Sequence, residues 1–96
     1  MTPRFSVRTT PHHERLVRRL LKHHPELQFL QERVLAILKA DPYNHRRAHH
    51  IKKLEAVPLG EGQWRLSLGR FRFRYDIYSA EVVLHYCGLR REETYR

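Results

Sequence analysis

The residues with most chemistry to offer are arginines, and their spacing sorts them. Arg72 and Arg74 stand two apart in Phe71-Arg72-Phe73-Arg74-Tyr75-Asp76-Ile77. Successive side chains of an extended chain point to opposite faces, so Phe71, Phe73, Tyr75 and Ile77 fall on one face and Arg72 and Arg74 on the other. Arg65, in Trp64-Arg65-Leu66-Ser67-Leu68, joins that second face if the two segments pair as a hairpin about Gly69. The tail beyond Gly88 adds Arg90, Arg91, Tyr95 and Arg96. A surface of this kind attracts polyanions. The same pattern equally fits a solvated strand face whose arginines keep the sheet in solution.

Histidine and cysteine open other routes. His12 and His13, His23 and His24, and His49 and His50 form adjacent pairs. Neighbours on a helix diverge, and no Cys or carboxylate cluster has zinc-finger spacing, so neither metal nor cofactor is expected. His85 lies in an apolar strand-like run, where it fits either a general base or a half-buried structural histidine. Cys87, the single cysteine, cannot form an internal disulfide and reads as a small buried hydrophobe.

These groups need a scaffold, and 96 residues allow one domain with one modest core, spanning residues 1–96. The formal charge of +9, mostly arginine, points first to nucleic acid, with an acidic protein or an anionic membrane behind it. Residues 1–15 lack the apolar core of a signal peptide, and no apolar run approaches the ~20 residues that cross a bilayer. A cytoplasmic protein without membrane attachment is expected.

Residues 4–9 alternate polar and apolar, with Phe5 and Val7 on the covered side of a strand. Thr10-Pro11 reads as a helix cap followed by proline at the first helical position, where an N–H is not needed. Leu16, Val17, Leu20 and Leu21 then recur at helical spacing. Pro25 ends that helix and opens another to Ala40, striped by Leu27, Leu30, Val34, Ile37 and Leu38, which Asp41-Pro42 stops. Residues 42–62 form a long connection with a short extended piece around His50 to Leu54. After the arginine hairpin comes a strand from Glu81 to Cys87, whose continuous Val82-Val83-Leu84 predicts cover on both sides. The expected fold is α+β: a helical hairpin packed on one face of a small, mainly antiparallel four-stranded sheet, in the order β-α-α-β-β-β.

Asp41-Pro42-Tyr43-Asn44, Lys52-Lys53-Leu54, Gln63-Trp64-Arg65-Leu66, Gly69 through Ile77, and Gly88-Leu89-Arg90-Arg91-Glu92-Glu93-Thr94-Tyr95-Arg96 span nearly the whole chain. Together they resemble the RelE branch of the RelE/ParE toxin superfamily. The resemblance implies a toxin of a type II toxin–antitoxin system: a ribosome-dependent mRNA endoribonuclease that inhibits translation. Its partners would be the ribosome, mRNA and a cognate acidic antitoxin bound in a hetero-oligomer. It also implies metal-independent cleavage, in which a ribose 2′-hydroxyl attacks the neighbouring phosphate. Such a reaction needs cations around the phosphorane oxygens, a proton acceptor and a proton donor for the leaving 5′-oxygen.

Arg72, Arg90, Tyr95 and Arg65 match the family's catalytic positions. Arg65 and Arg72 would clamp the phosphate, Arg90 would stabilise or protonate the leaving oxygen, and Tyr95 would stack on a base or accept the proton. Lys52, Lys53, Arg74 and Arg91 would bind RNA around them. Gln63 stands where RelE itself has a lysine, and the step from Arg90 to Tyr95 is one residue shorter than in that protein. Two other readings stay open. One is a ParE-like DNA gyrase inhibitor, a kind that generally lacks the arginine and tyrosine set. The other is a non-catalytic RNA- or ribosome-binding module whose arginines only position phosphates.

Overall fold

The computed structural model describes residues 4–90. Its elements are β1 (Ser6–Thr9), α1 (Pro11–Leu21), α2 (Leu27–Ala40), β2 (Ile51–Lys53), β3 (Trp64–Leu68), β4 (Phe71–Tyr78) and β5 (Glu81–Leu89). The strands form a single sheet in the order β1-β5-β4-β3-β2, with β1 parallel to β5 and the other pairs antiparallel. The α+β architecture agrees with expectation, but among the described residues the sheet has five strands rather than four. The added one is β2, where Ile51 sits opposite Leu66 and Lys53 opposite Trp64. It falls within the extended piece expected around His50 to Leu54, which three residues of weak alternation do not mark as a member of the sheet. They become a strand because β3 offers its outer main-chain edge for pairing.

Thr10 caps α1 from an extended conformation, its hydroxyl accepting from the His13 N–H at 3.1 Å, and Pro11 follows at the first turn. The second helix begins at Leu27 rather than Pro25. His24, Pro25 and Glu26 instead make a tight turn, closed by Leu27 N–H to His24 O at 3.0 Å and Gln28 N–H to Pro25 O at 3.1 Å.

Val17 of α1 and Leu27, Val34 and Leu38 of α2 pack with Leu66, Phe71, Phe73, Tyr75, Val82, Leu84 and Cys87 of the sheet. Burying each of the larger side chains contributes roughly 1.5–3 kcal/mol. Val82, Val83 and Leu84 are all buried, on the strand that lies between β1 and β4. Cys87 is in this core, and burial pushes its thiol up to about 12, which removes it from nucleophilic chemistry.

One irregularity controls the face opposite the helices. Tyr75 pairs with Leu84, yet Arg74 pairs with Tyr86, so His85 is the extra residue of a β-bulge. The bulge keeps both Leu84 and Cys87 in the core and turns Tyr86 to the other side. Among the described residues no helix is long and apolar enough to cross a membrane.

Candidate active site

Sheet register arranges the face turned away from the helices into rows. Lys52, Arg65, Arg74 and Tyr86 stand side by side across β2, β3, β4 and β5. In the adjacent row Ser67 lies opposite Arg72, and Arg72 opposite Gly88. His50 extends this row on the β2 side, its carbonyl accepting from the Ser67 N–H at 2.9 Å. Lys52, Arg65, Arg72 and Arg90 converge on one groove of about 580 Å³, together with His49, His50 and Ser67.

Each cation is held by ordinary strand physics. The flanking residues Leu66, Phe71 and Phe73 are buried, so a one-residue slip would drive Arg65 and Arg72 into the core. Gly69, with φ +57°, makes the tight turn that brings the two arginine strands together and lines the groove without a side chain. Arg90 leaves β5 at the rim, where its N–H donates to the Arg70 carbonyl at 2.7 Å. A Cβ on Gly88 would collide with the Tyr86 phenol, so that ring lies against the sheet beside Arg72.

The wall carrying His49 and His50 is built by residues 41–49. The Asp41 carboxylate accepts from the N–H groups of His45 and Arg46 at 2.9 and 3.0 Å. Burial alone would raise the Asp41 pKa. These two bonds, with the charges of His45 and His49, bring it below the usual value instead. Asn44, at φ +59°, donates to the His49 carbonyl at 2.9 Å and accepts from its N–H at 3.2 Å. Below them the Tyr75 hydroxyl donates to the Pro42 carbonyl at 2.7 Å. Burial, and then the nearby Asp41 charge, push the Tyr75 phenol far upward, so it remains a donor.

Not every expected residue comes to the groove. The Arg74 guanidinium donates to the Gly62 carbonyl through Nε at 3.1 Å and Nη2 at 3.0 Å. Lys53 falls on the other side of β2, with Nζ 5.7 Å from the Trp64 ring centre. Arg91 and Tyr95 lie outside the described residues. His85, weighed as a base, stands 2.8 Å from Asp76 and lines a separate recess of about 360 Å³ with His12, Arg74 and Tyr86. Asp76 itself is fully buried and accepts from the N–H groups of Gly60 at 3.1 Å, Gly62 at 2.9 Å and Gln63 at 2.9 Å.

Three residues of this face were not among the expected site residues: His50 and Ser67 in the groove, and Tyr86 beside it. Continuing the alternation of Lys52 back by two residues would have found His50, given the β2 register. Strict alternation would have placed Tyr86 in the core, and only the bulge reverses it. Among the described residues no group of three or more His, Cys, Asp or Glu side chains could hold a metal ion.

No known family profile matches the chain, and no curated protein matches it. A solved structure does: the archaeal RelE–RelB complex from Pyrococcus horikoshii OT3. The two chains share 22% sequence identity at a TM-score of 0.62, with 91% of this chain and 96% of the other covered. The chain has a RelE-like fold.

Proposed function

We propose that the chain is a RelE-type toxin that cleaves RNA without a metal ion, acting on mRNA in the ribosome. The supporting observation is the groove, in which Lys52, Arg65, Arg72 and Arg90 arrive from different segments of the chain at one place. A solvated strand face would spread its charges. Guanidinium groups stay protonated and fork onto phosphate oxygens, which suits them to a phosphorane whose negative charge grows as the bond to the 2′-oxygen forms. Arg65 and Arg72 clamp the phosphate, and Arg90 serves the leaving oxygen from the rim. Tyr95 and Arg91 complete the assignment as base-stacking and RNA-binding residues. Lys52 contributes charge within the groove, whereas Lys53 and Arg74 act elsewhere.

The neighbour's association with RelB supports an antitoxin partner here as well. A net charge of +9 favours an acidic one, whose carboxylates cover the arginines. Action on ribosomes places the protein in the cytoplasm. The test is incubation of purified protein with mRNA-programmed ribosomes, with and without EDTA, followed by mapping of RNA 5′ ends. Cleavage at discrete sites, unchanged by EDTA, is expected. Growth arrest with no RNA cleavage but with inhibited DNA gyrase would instead make the chain a ParE-like gyrase poison.

A further inference from the structure

The arginines that surround a phosphate cannot take the proton of the attacking hydroxyl, because arginine keeps its own proton under all conditions in which proteins fold. Histidine is the side-chain type that exchanges protons near neutrality. Two histidines line the groove, and they sit differently. His49 also borders a shallower recess formed with Arg33, Ile37 and Leu68. His50 is exposed and stands in the same cross-sheet row as Ser67 and Arg72.

We infer that His50 is the proton-transfer residue of this groove, an assignment that rests on the RNA-cleaving function proposed above. Ser67 lies between His50 and Arg72, one strand from each, so the two are roughly 10 Å apart at their backbones. The serine is small and leaves a depression between a long cation on one side and an imidazole on the other. A phosphodiester seated over Ser67 meets Arg72 with its oxygens and presents the adjoining ribose to His50. The backbone of this wall is fixed in advance by the Asn44 clamp on His49 and by the Ser67 N–H bond to His50. Around His50 in the groove are Lys52 of β2, Arg65 of β3, Arg72 of β4 and Arg90 after β5, with Arg33 of α2 beyond His49.

The step balances without any co-reactant. The 2′-hydroxyl gives its proton to the His50 imidazole as the bond from the 2′-oxygen to phosphorus forms. The bond from phosphorus to the 5′-oxygen then breaks, and that oxygen takes a proton from water as His50 returns its own to solvent. The products are a 2′,3′-cyclic phosphate and a free 5′-hydroxyl, with no net change in protons.

The experiment measures single-turnover cleavage of mRNA on ribosomes from pH 5 to 9 for the wild type, His50→Ala and His50→Gln, with His23→Ala as a control. Added imidazole and circular dichroism accompany each. Loss of a positioned general base commonly costs ~10²- to 10⁴-fold. Both His50 variants should lose that much at pH 7 while keeping the wild-type fold. Imidazole should restore part of the activity to His50→Ala, and the acidic fall of the wild-type profile should flatten in both variants. Folded His50 variants that cleave at the wild-type rate would overturn the assignment. So would a slow His50→Ala that imidazole does not rescue and whose pH profile keeps its shape. Absence of cleavage by the wild type itself would remove the nuclease reading, and this inference with it.

Discussion

Arg72 and Arg74 are two residues apart on one face of one strand, and nothing local distinguishes them. Across the sheet, however, Arg72 looks onto Ser67 and Gly88, two small residues, and so borders open space. Arg74 looks onto Arg65 and Tyr86 and reaches instead to the carbonyl of Gly62, which the loop between β2 and β3 lays over it. One half of the face is a groove and the other half is a braced lid. Asp76 completes the brace from beneath, holding the same loop by the amides of Gly60, Gly62 and Gln63. The same residue type thus lines the groove at Arg72 and braces a loop at Arg74, and long-range loop placement decides which.

The brace can be broken at its strongest point. Asp76→Ala leaves these amides without their acceptor and His85 without its neighbour, at a cost of roughly 2–4 kcal/mol. Urea unfolding should show that loss, while the groove's RNA affinity, measured at a temperature where the variant is folded, should change little. Gly62→Ala is the subtler break. Its φ of +82° disfavours any side chain, and the added Cβ would lie 2.9 Å from the Cβ of Arg74. A loss of about 1–2 kcal/mol is expected in the same assay, from strain and from the shifted guanidinium together.

The smallest effect separates the two faces by pH. His13 is buried on the inner side of α1, and burial lowers its pKa despite a hydrogen bond to the Tyr86 backbone and the nearby Glu14, which raise it. Its folded value therefore lies below the 6.5 of an unfolded histidine, so the unfolded chain binds the proton first as pH falls. Stability should be full above about pH 6.5 and decline as pH drops toward the folded value. His13→Leu should flatten that decline in thermal melts. Asp41 acts in a lower window, because its depressed pKa makes its contribution fade only below about 3.8.

These contrasts also mark what the sequence could tell. Period-two alternation located Arg65 and Arg72 because one face of their strands had to be apolar. The proline and threonine signals found both helices, and the Val82-Val83-Leu84 run marked a central strand. What stayed hidden depends on contacts far apart in the chain. β2 is paired into the sheet only through β3, Tyr86 leaves the core side only through a bulge, and Arg74 parts from Arg72 only because a distant carbonyl meets it. His50 needed the β2 register before its alternation meant anything. The second helix begins two residues after Pro25, because proline suits a tight turn as well as a helix start.

The most direct measurement compares Arg72→Ala with Arg74→Ala in single-turnover cleavage of ribosome-bound mRNA, with melting temperature taken alongside. Arg72→Ala should keep its melting temperature and lose ~10²- to 10³-fold in rate, as expected when a charge-stabilising group leaves a transition state. Arg74→Ala should lose about 1 kcal/mol of stability and stay within a few-fold of the wild-type rate. Equal rate losses in both, or a folded Arg72→Ala that cleaves like the wild type, would contradict the division of this face into a working groove and a brace.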